Sequence, residues 1–153
     1  MKTAIISLLL LTNLFGLEKG DVIGENIASH IGCTDKNKVY VIDFFASWCG
    51  SCKKEIPLIS KANTQIDKSK TEIIGIDVDK KVNQGIEFQK TLTNKGQLNF
   101  KVINDPQNLL IAEFAPIGMP TLYYVKNRKI VDIITGAIDN IDKKIINDLK
   151  GIN

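Results

Sequence analysis

Cys49 and Cys52 stand three positions apart in the stretch Asp-Phe-Phe-Ala-Ser-Trp-Cys-Gly-Ser-Cys-Lys-Lys-Glu-Ile-Pro, residues 43–57. Two thiols at this spacing close a small disulfide ring or stand side by side as a dithiol, and the same spacing also serves as half of a zinc site. The elements around the pair bear on which chemistry applies. Residues 39–45, Val-Tyr-Val-Ile-Asp-Phe-Phe, are β-branched and aromatic with apolar groups on both faces, as a central strand covered on both sides requires. After Cys49, the residues Ile56, Ile59, Ala62 and Ile66 recur at helical spacing, with Pro57 inside the run, so the pair opens a helix. Unpaired N–H groups and the positive end of the helix dipole favour a thiolate there, and Cys49, nearer the helix start, feels them most. The expected chemistry is thiol–disulfide exchange at Cys49 and Cys52. A zinc alternative stands beside it, because His30-x-x-Cys33 and Cys49-x-x-Cys52 have ribbon-like spacing. Against zinc, a strongly hydrophobic strand links the two pairs and the second pair opens a long helix. Three cysteines leave at least one thiol over, and Cys33 is expected to be a buried or turn thiol without a role.

The remaining elements alternate. A short helix over 24–32, stopped by Gly32, precedes the central strand. A second strand is expected over 71–78, a helix over 82–95 and a short strand over 99–103. Asp105-Pro106 reads as an N-cap followed by proline at the first helical position, launching a helix through Leu109, Leu110 and Phe114. Residues 121–126 and 129–134 alternate as a hairpin across Asn127-Arg128, and a last helix buries Ile141, Ile145 and Leu149. Strands alternating with helices imply parallel pairing, and the terminal hairpin adds antiparallel strands to the same sheet. The class is α/β with a mixed sheet.

A chain of 153 residues with 44% hydrophobic and 24% charged residues can bury one core without disulfide staples, so a single domain is expected. The net charge of +3 is dispersed, and without a basic run or basic-aromatic stripe there is no support for nucleic-acid binding. Met1-Lys2 followed by an apolar run to Phe15 has the form of a signal peptide, shorter than the about 20 residues of a membrane span. The expected organisation is a leader over residues 1–16, cleaved or retained as an anchor, and one domain over 17–153. Export would place the dithiol in an oxidising compartment, the periplasm or its equivalent.

The strand ending in Asp43-Phe44-Phe45, the Trp48-Cys49-Gly50-Ser51-Cys52-Lys53 motif, Pro57, and Gly118-Met119-Pro120-Thr121-Leu122 downstream together resemble the thioredoxin fold. The resemblance covers nearly all of the chain after about residue 20 and implies three layers, α/β/α, around a mixed sheet. A strand–helix unit inserted over 96–116 is more similar to the exported TlpA and ResA type of thiol–disulfide oxidoreductase than to thioredoxin itself.

The resemblance implies that Cys49 is the exposed attacking thiol, that Cys52 resolves the mixed disulfide, and that Pro120 follows a cis bond facing the cysteines. Backbone groups of Met119 would then pair with a substrate chain, with Trp48, Pro120 and Thr121 lining the same binding edge. Asp43 matches the buried acid of thioredoxin. Among Ile42, Phe44 and Phe45 its carboxyl should have a raised pKa and accept a proton from Cys52 through a water. Two departures from the resemblance bear on Asp43: Gly75 replaces the lysine that neighbours this acid in thioredoxin, and the glutamate characteristic of the ResA type appears here as Lys80. In the active-site loop, Gly50-Ser51 replaces Gly-Pro and is expected to shift the reduction potential.

The resulting expectation is an exported protein-disulfide reductase, monomeric, acting on protein disulfides or thiols. It would need no bound cofactor or metal and would take electrons from a membrane donor, with cytochrome c maturation as the family-level role. A dithiol oxidase or isomerase is the alternative within the class, and a zinc-holding binding module the alternative outside it. A thiol peroxidase is disfavoured because Ala46 stands where peroxide-reducing members place a threonine.

Overall fold

The computed structural model describes residues 16–152. The expected leader, residues 1–16, lies outside the described residues except for Gly16. Among the described residues no helix is long and apolar enough to cross a membrane.

The central strand β1 (Val39–Phe45) is buried along its whole length. It pairs in parallel with β2 (Thr71–Asp77), which pairs in parallel with the edge strand β3 (Lys101–Asn104). On its other side β1 pairs antiparallel with β4 (Thr121–Lys126), and β4 with β5 (Lys129–Thr135). The sheet order is β3-β2-β1-β4-β5, which is the mixed sheet expected from the alternation and the terminal hairpin. The hairpin turn places both Asn127 and Arg128 at positive φ, 50° and 63°.

The strand period of two sends alternate β1 side chains to opposite faces. Tyr40, Ile42 and Phe44 face a cluster built with α1 (Glu25–Ile31) and α4 (Leu109–Phe114), where Phe44, Phe114 and Tyr123 pack edge to face. Val39 and Val41 face α2 (Gly50–Asn63) and α5 (Ile141–Ile152), and Phe45 packs between α2 and α3 (Val82–Asn94). These are three α/β/α layers. α1 ends, as its sequence requires, at Gly32 with φ 90°.

Two elements, β3 and α4, start more than one residue from where the sequence places them. The strand expected over 99–103 starts at Lys101 and runs to Asn104. Pro106 is not at the first helical position, because α4 begins at Leu109. The capping chemistry of Asp105 survives the shift: its carboxylate accepts the N–H groups of Leu109 at 2.8 Å and Ile111 at 2.9 Å across an intervening turn.

Candidate active site

The buried β1 delivers the chain to Cys49, which is the N-cap of α2. Cys49 and Cys52 are joined as a disulfide. The Cys49 sulfur accepts the N–H of Cys52 at 3.2 Å, so the sulfur itself occupies one of the orphan donors of the helix start. Ser51 Oγ lies 3.5 Å from the same sulfur, and with that sulfur in a disulfide the hydroxyl is the donor. In the disulfide form neither cysteine is open to solvent, but Cys49 keeps 7% of its surface and Cys52 1%. Trp48, beside them, is 64% exposed.

Met119 packs against the cluster that holds both cysteines, and the Met119-Pro120 bond is cis. Pro120 accepts the N–H of Gly136, and the hydroxyl of the buried Thr121 donates to the Gly118 carbonyl at 2.6 Å. Neither the N–H nor the C=O of Met119 has a partner among the described residues. Thr121, with its side chain turned back onto the loop, holds the loop's shape.

Beneath the disulfide the surroundings of Asp43 differ from those its sequence neighbours suggest. Ile42 and Phe44 point to the opposite face of the sheet. Across the strand pair stands Gly75, whose missing Cβ would meet the Phe45 ring at 2.7 Å and the Phe100 ring at 3.0 Å, so aromatic rings fill the room a longer side chain would need. The acidic neighbour that Lys80 does not provide comes from α2. Lys80 is exposed, whereas Glu55 is 2% exposed and its charge raises the pKa of Asp43. Burial is the larger cause of that upward shift. Burial also pushes Glu55 up to about 7, opposed by the N–H of Ile138, which donates to Oε1 at 3.4 Å. Asp43 Oδ1 and Glu55 Oε2 have no partner among the described residues. The sequence around Glu55 gives little sign of its burial, because Lys-Lys-Glu reads as solvated charge. Its helical position was the available signal: it lies three residues after Cys52, on the face carrying Ile56 and Ile59.

A second acidic pair holds the loop before the cysteines. Asp79 accepts both the N–H of Ser47, at 2.7 Å, and its hydroxyl, at 2.9 Å. Asp77 in turn accepts the N–H of Asp79 and the amide of Gln89, and its pKa is pushed up to about 6, mainly by burial. Gly85 makes room for it, since a Cβ there would lie 2.6 Å from an Asp77 oxygen.

The zinc constellation is not brought together. Cys33 packs in the cluster on the α1 face and the cysteine pair in the cluster against α2 and α3. Among the described residues no group of three or more ligating side chains converges. Burial raises the pKa of the Cys33 thiol. Of the two lysines after the pair, Lys53 lies over the Phe88 ring, 5.8 Å from its centre.

Residues 15–134 match the model of the AhpC/TSA family. The chain is 30% identical over 106 residues to the thiol-disulfide oxidoreductase ResA of Oceanobacillus iheyensis, a match covering 67% of this chain and 52% of that protein. It therefore spans about half the length of that relative. Thioredoxin 1 of Plasmodium falciparum is 27% identical over 111 residues, covering 72% of this chain and 80% of that one. Among solved structures, a Chlorobium tepidum protein assigned as the thiol:disulfide interchange protein DsbE superposes with a TM-score of 0.72 at 20% identity, covering 88% of this chain and 97% of that one. StoA of Bacillus subtilis superposes with a TM-score of 0.61 at 19% identity, covering 74% and 84%. At these identities the structural likeness is one of fold.

Proposed function

The chain belongs to the AhpC/TSA family, with the thioredoxin fold and the cysteine pair of a thiol–disulfide oxidoreductase, and we propose that it reduces disulfides of exported proteins. The carrying observation is a Cys49–Cys52 disulfide at the start of α2, above a buried carboxyl pair and beside a loop whose Met119 backbone groups have no partner among the described residues.

In the dithiol form, the Cys49 thiolate attacks one sulfur of the substrate disulfide. That S–S bond breaks, its second sulfur leaves with the electron pair and takes a proton, and a mixed disulfide forms. Cys52 then passes its proton to Asp43 through a water and attacks the Cys49 sulfur. The second substrate thiol is released, and two electrons have passed from the protein to the substrate. A carboxyl raised by burial is better matched to a thiol than an ordinary aspartate, which supports the proton role of Asp43. Glu55 extends this role, because a proton on either acid lowers the cost of charge on the other.

A dithiol protein at the membrane regenerates Cys49 and Cys52, and the protein acts as an exported monomer, periplasmic or held at the membrane by its leader. Likeness to ResA supports this setting, and keeping apocytochrome c cysteines reduced before haem attachment is the role it fits.

The reduction potential tests the direction. A value in the range of the reducing thioredoxin-type proteins, near about −270 mV, is expected. A value near about −120 mV would make the protein a dithiol oxidase.

A further inference from the structure

A cleft of about 450 Å³ opens beside the disulfide. Trp48 and Met119, which flank the cysteines, form one part of its lining, with Ile111 adding apolar surface. Lys80 and Lys81 form another part. Both lysines are exposed, and neither makes an ion pair among the described residues, unlike Lys61 and Lys144, each held by a carboxylate. The acidic group lining the cleft, Asp79, is 5% exposed and spends both oxygens on Ser47. A ligand in the cleft therefore meets two uncommitted ammonium groups and one carboxylate already engaged.

We propose that this cleft selects its polypeptide substrate by charge, Lys80 and Lys81 receiving an acidic side chain close to the reacting cysteine while Trp48 and Met119 take the apolar part of the same segment. The inference rests on the reading of Cys49 and Cys52 as the exchange site and names the substrate class: extended segments in which an aspartate or glutamate accompanies the cysteine. Two lysines at a solvent-exposed rim act mostly on association and its salt dependence.

The test uses three synthetic peptides, identical except that the residues flanking one disulfide-bonded cysteine are acidic, neutral or basic. The dithiol protein is expected to react with the acidic peptide about fivefold faster than with the basic one at low ionic strength, as two exposed ion pairs allow. The preference should vanish at about 1 M salt, where screening extends over only about 3 Å. Lys80→Glu with Lys81→Glu should invert it. Lys143→Glu with Lys150→Glu, on the exposed side of α5, makes the same change in net charge away from the cleft and should retain it. Equal rates for acidic and basic peptides, or loss of the preference in the α5 variant as well, would overturn the proposal. The neutral peptide separates this claim from the functional reading. If even that peptide is not reduced, the reductase reading fails, and the same ratios measured with the oxidised protein and the reduced peptides still decide the charge preference.

Discussion

Asp43 on the central strand and Glu55 on the cysteine-bearing helix form a buried pair of acids, each with one oxygen unpartnered among the described residues and neither offset by a buried cation. A folded protein that holds such acids binds protons that its unfolded chain releases.

Stability should therefore fall as pH rises. For Glu55 the folded value of about 7 stands above the ordinary 4.5, so its contribution is fully present below 4.5 and is lost as pH rises through about 7. The shift corresponds to roughly 3 kcal/mol. Urea unfolding at a series of pH values should show Glu55→Gln flattening that decline and exceeding the parent protein in stability above about pH 8. Asp43, whose upward shift comes first from burial, and Asp77, raised to about 6, leave a decline of the same sign in the variant. An unchanged slope in Glu55→Gln would contradict the burial of a proton there.

Asp43→Asn keeps the shape of the side chain and removes the proton acceptor. The mixed disulfide should then persist about a hundredfold longer before Cys52 resolves it, the scale of one general base. Rapid-quench alkylation followed by mass measurement reads that lifetime directly. A lifetime equal to that of the parent protein would take Asp43 out of the reaction.

Asp79 sets the position of Ser47, the residue before Trp48. Asp79→Asn puts an amide where two donors already point, and about 1–3 kcal/mol of stability should be lost. Trp48 is the only tryptophan of the chain, so its fluorescence reports the loop without interference. Asp79→Asn should change that emission, whereas Ser47→Ala, which keeps the backbone bond, should change it less. Identical spectra in all three proteins would mean the loop is held by something else.

Much of this arrangement was legible in the chain. The apolar run of β1, the alternation of strands and helices, and the hairpin signals are local patterns that tertiary packing reinforces. The cysteine pair and the Met119-Pro120 segment could be placed together because a known fold relates them. What escaped depends on distance and angle. Whether Glu55 points into the core is decided by how α2 crosses the sheet, and a Lys-Lys-Glu string is most often solvated. Asp79 meets Ser47 from 32 positions away, at the end of a different strand, with no pattern linking them. The start of α4 slipped past Pro106 because Asp105 can cap across a turn as well as directly.

Trapping of the reaction intermediate tests the central assignment most directly. In a Cys52→Ala variant, Cys49 should accumulate mixed disulfides with its protein substrates, located at Cys49 by mass spectrometry of the trapped species. If mixed disulfides formed only in Cys49→Ala, through Cys52, the roles of the two cysteines would be reversed, and if neither variant trapped a partner the exchange mechanism itself would be contradicted.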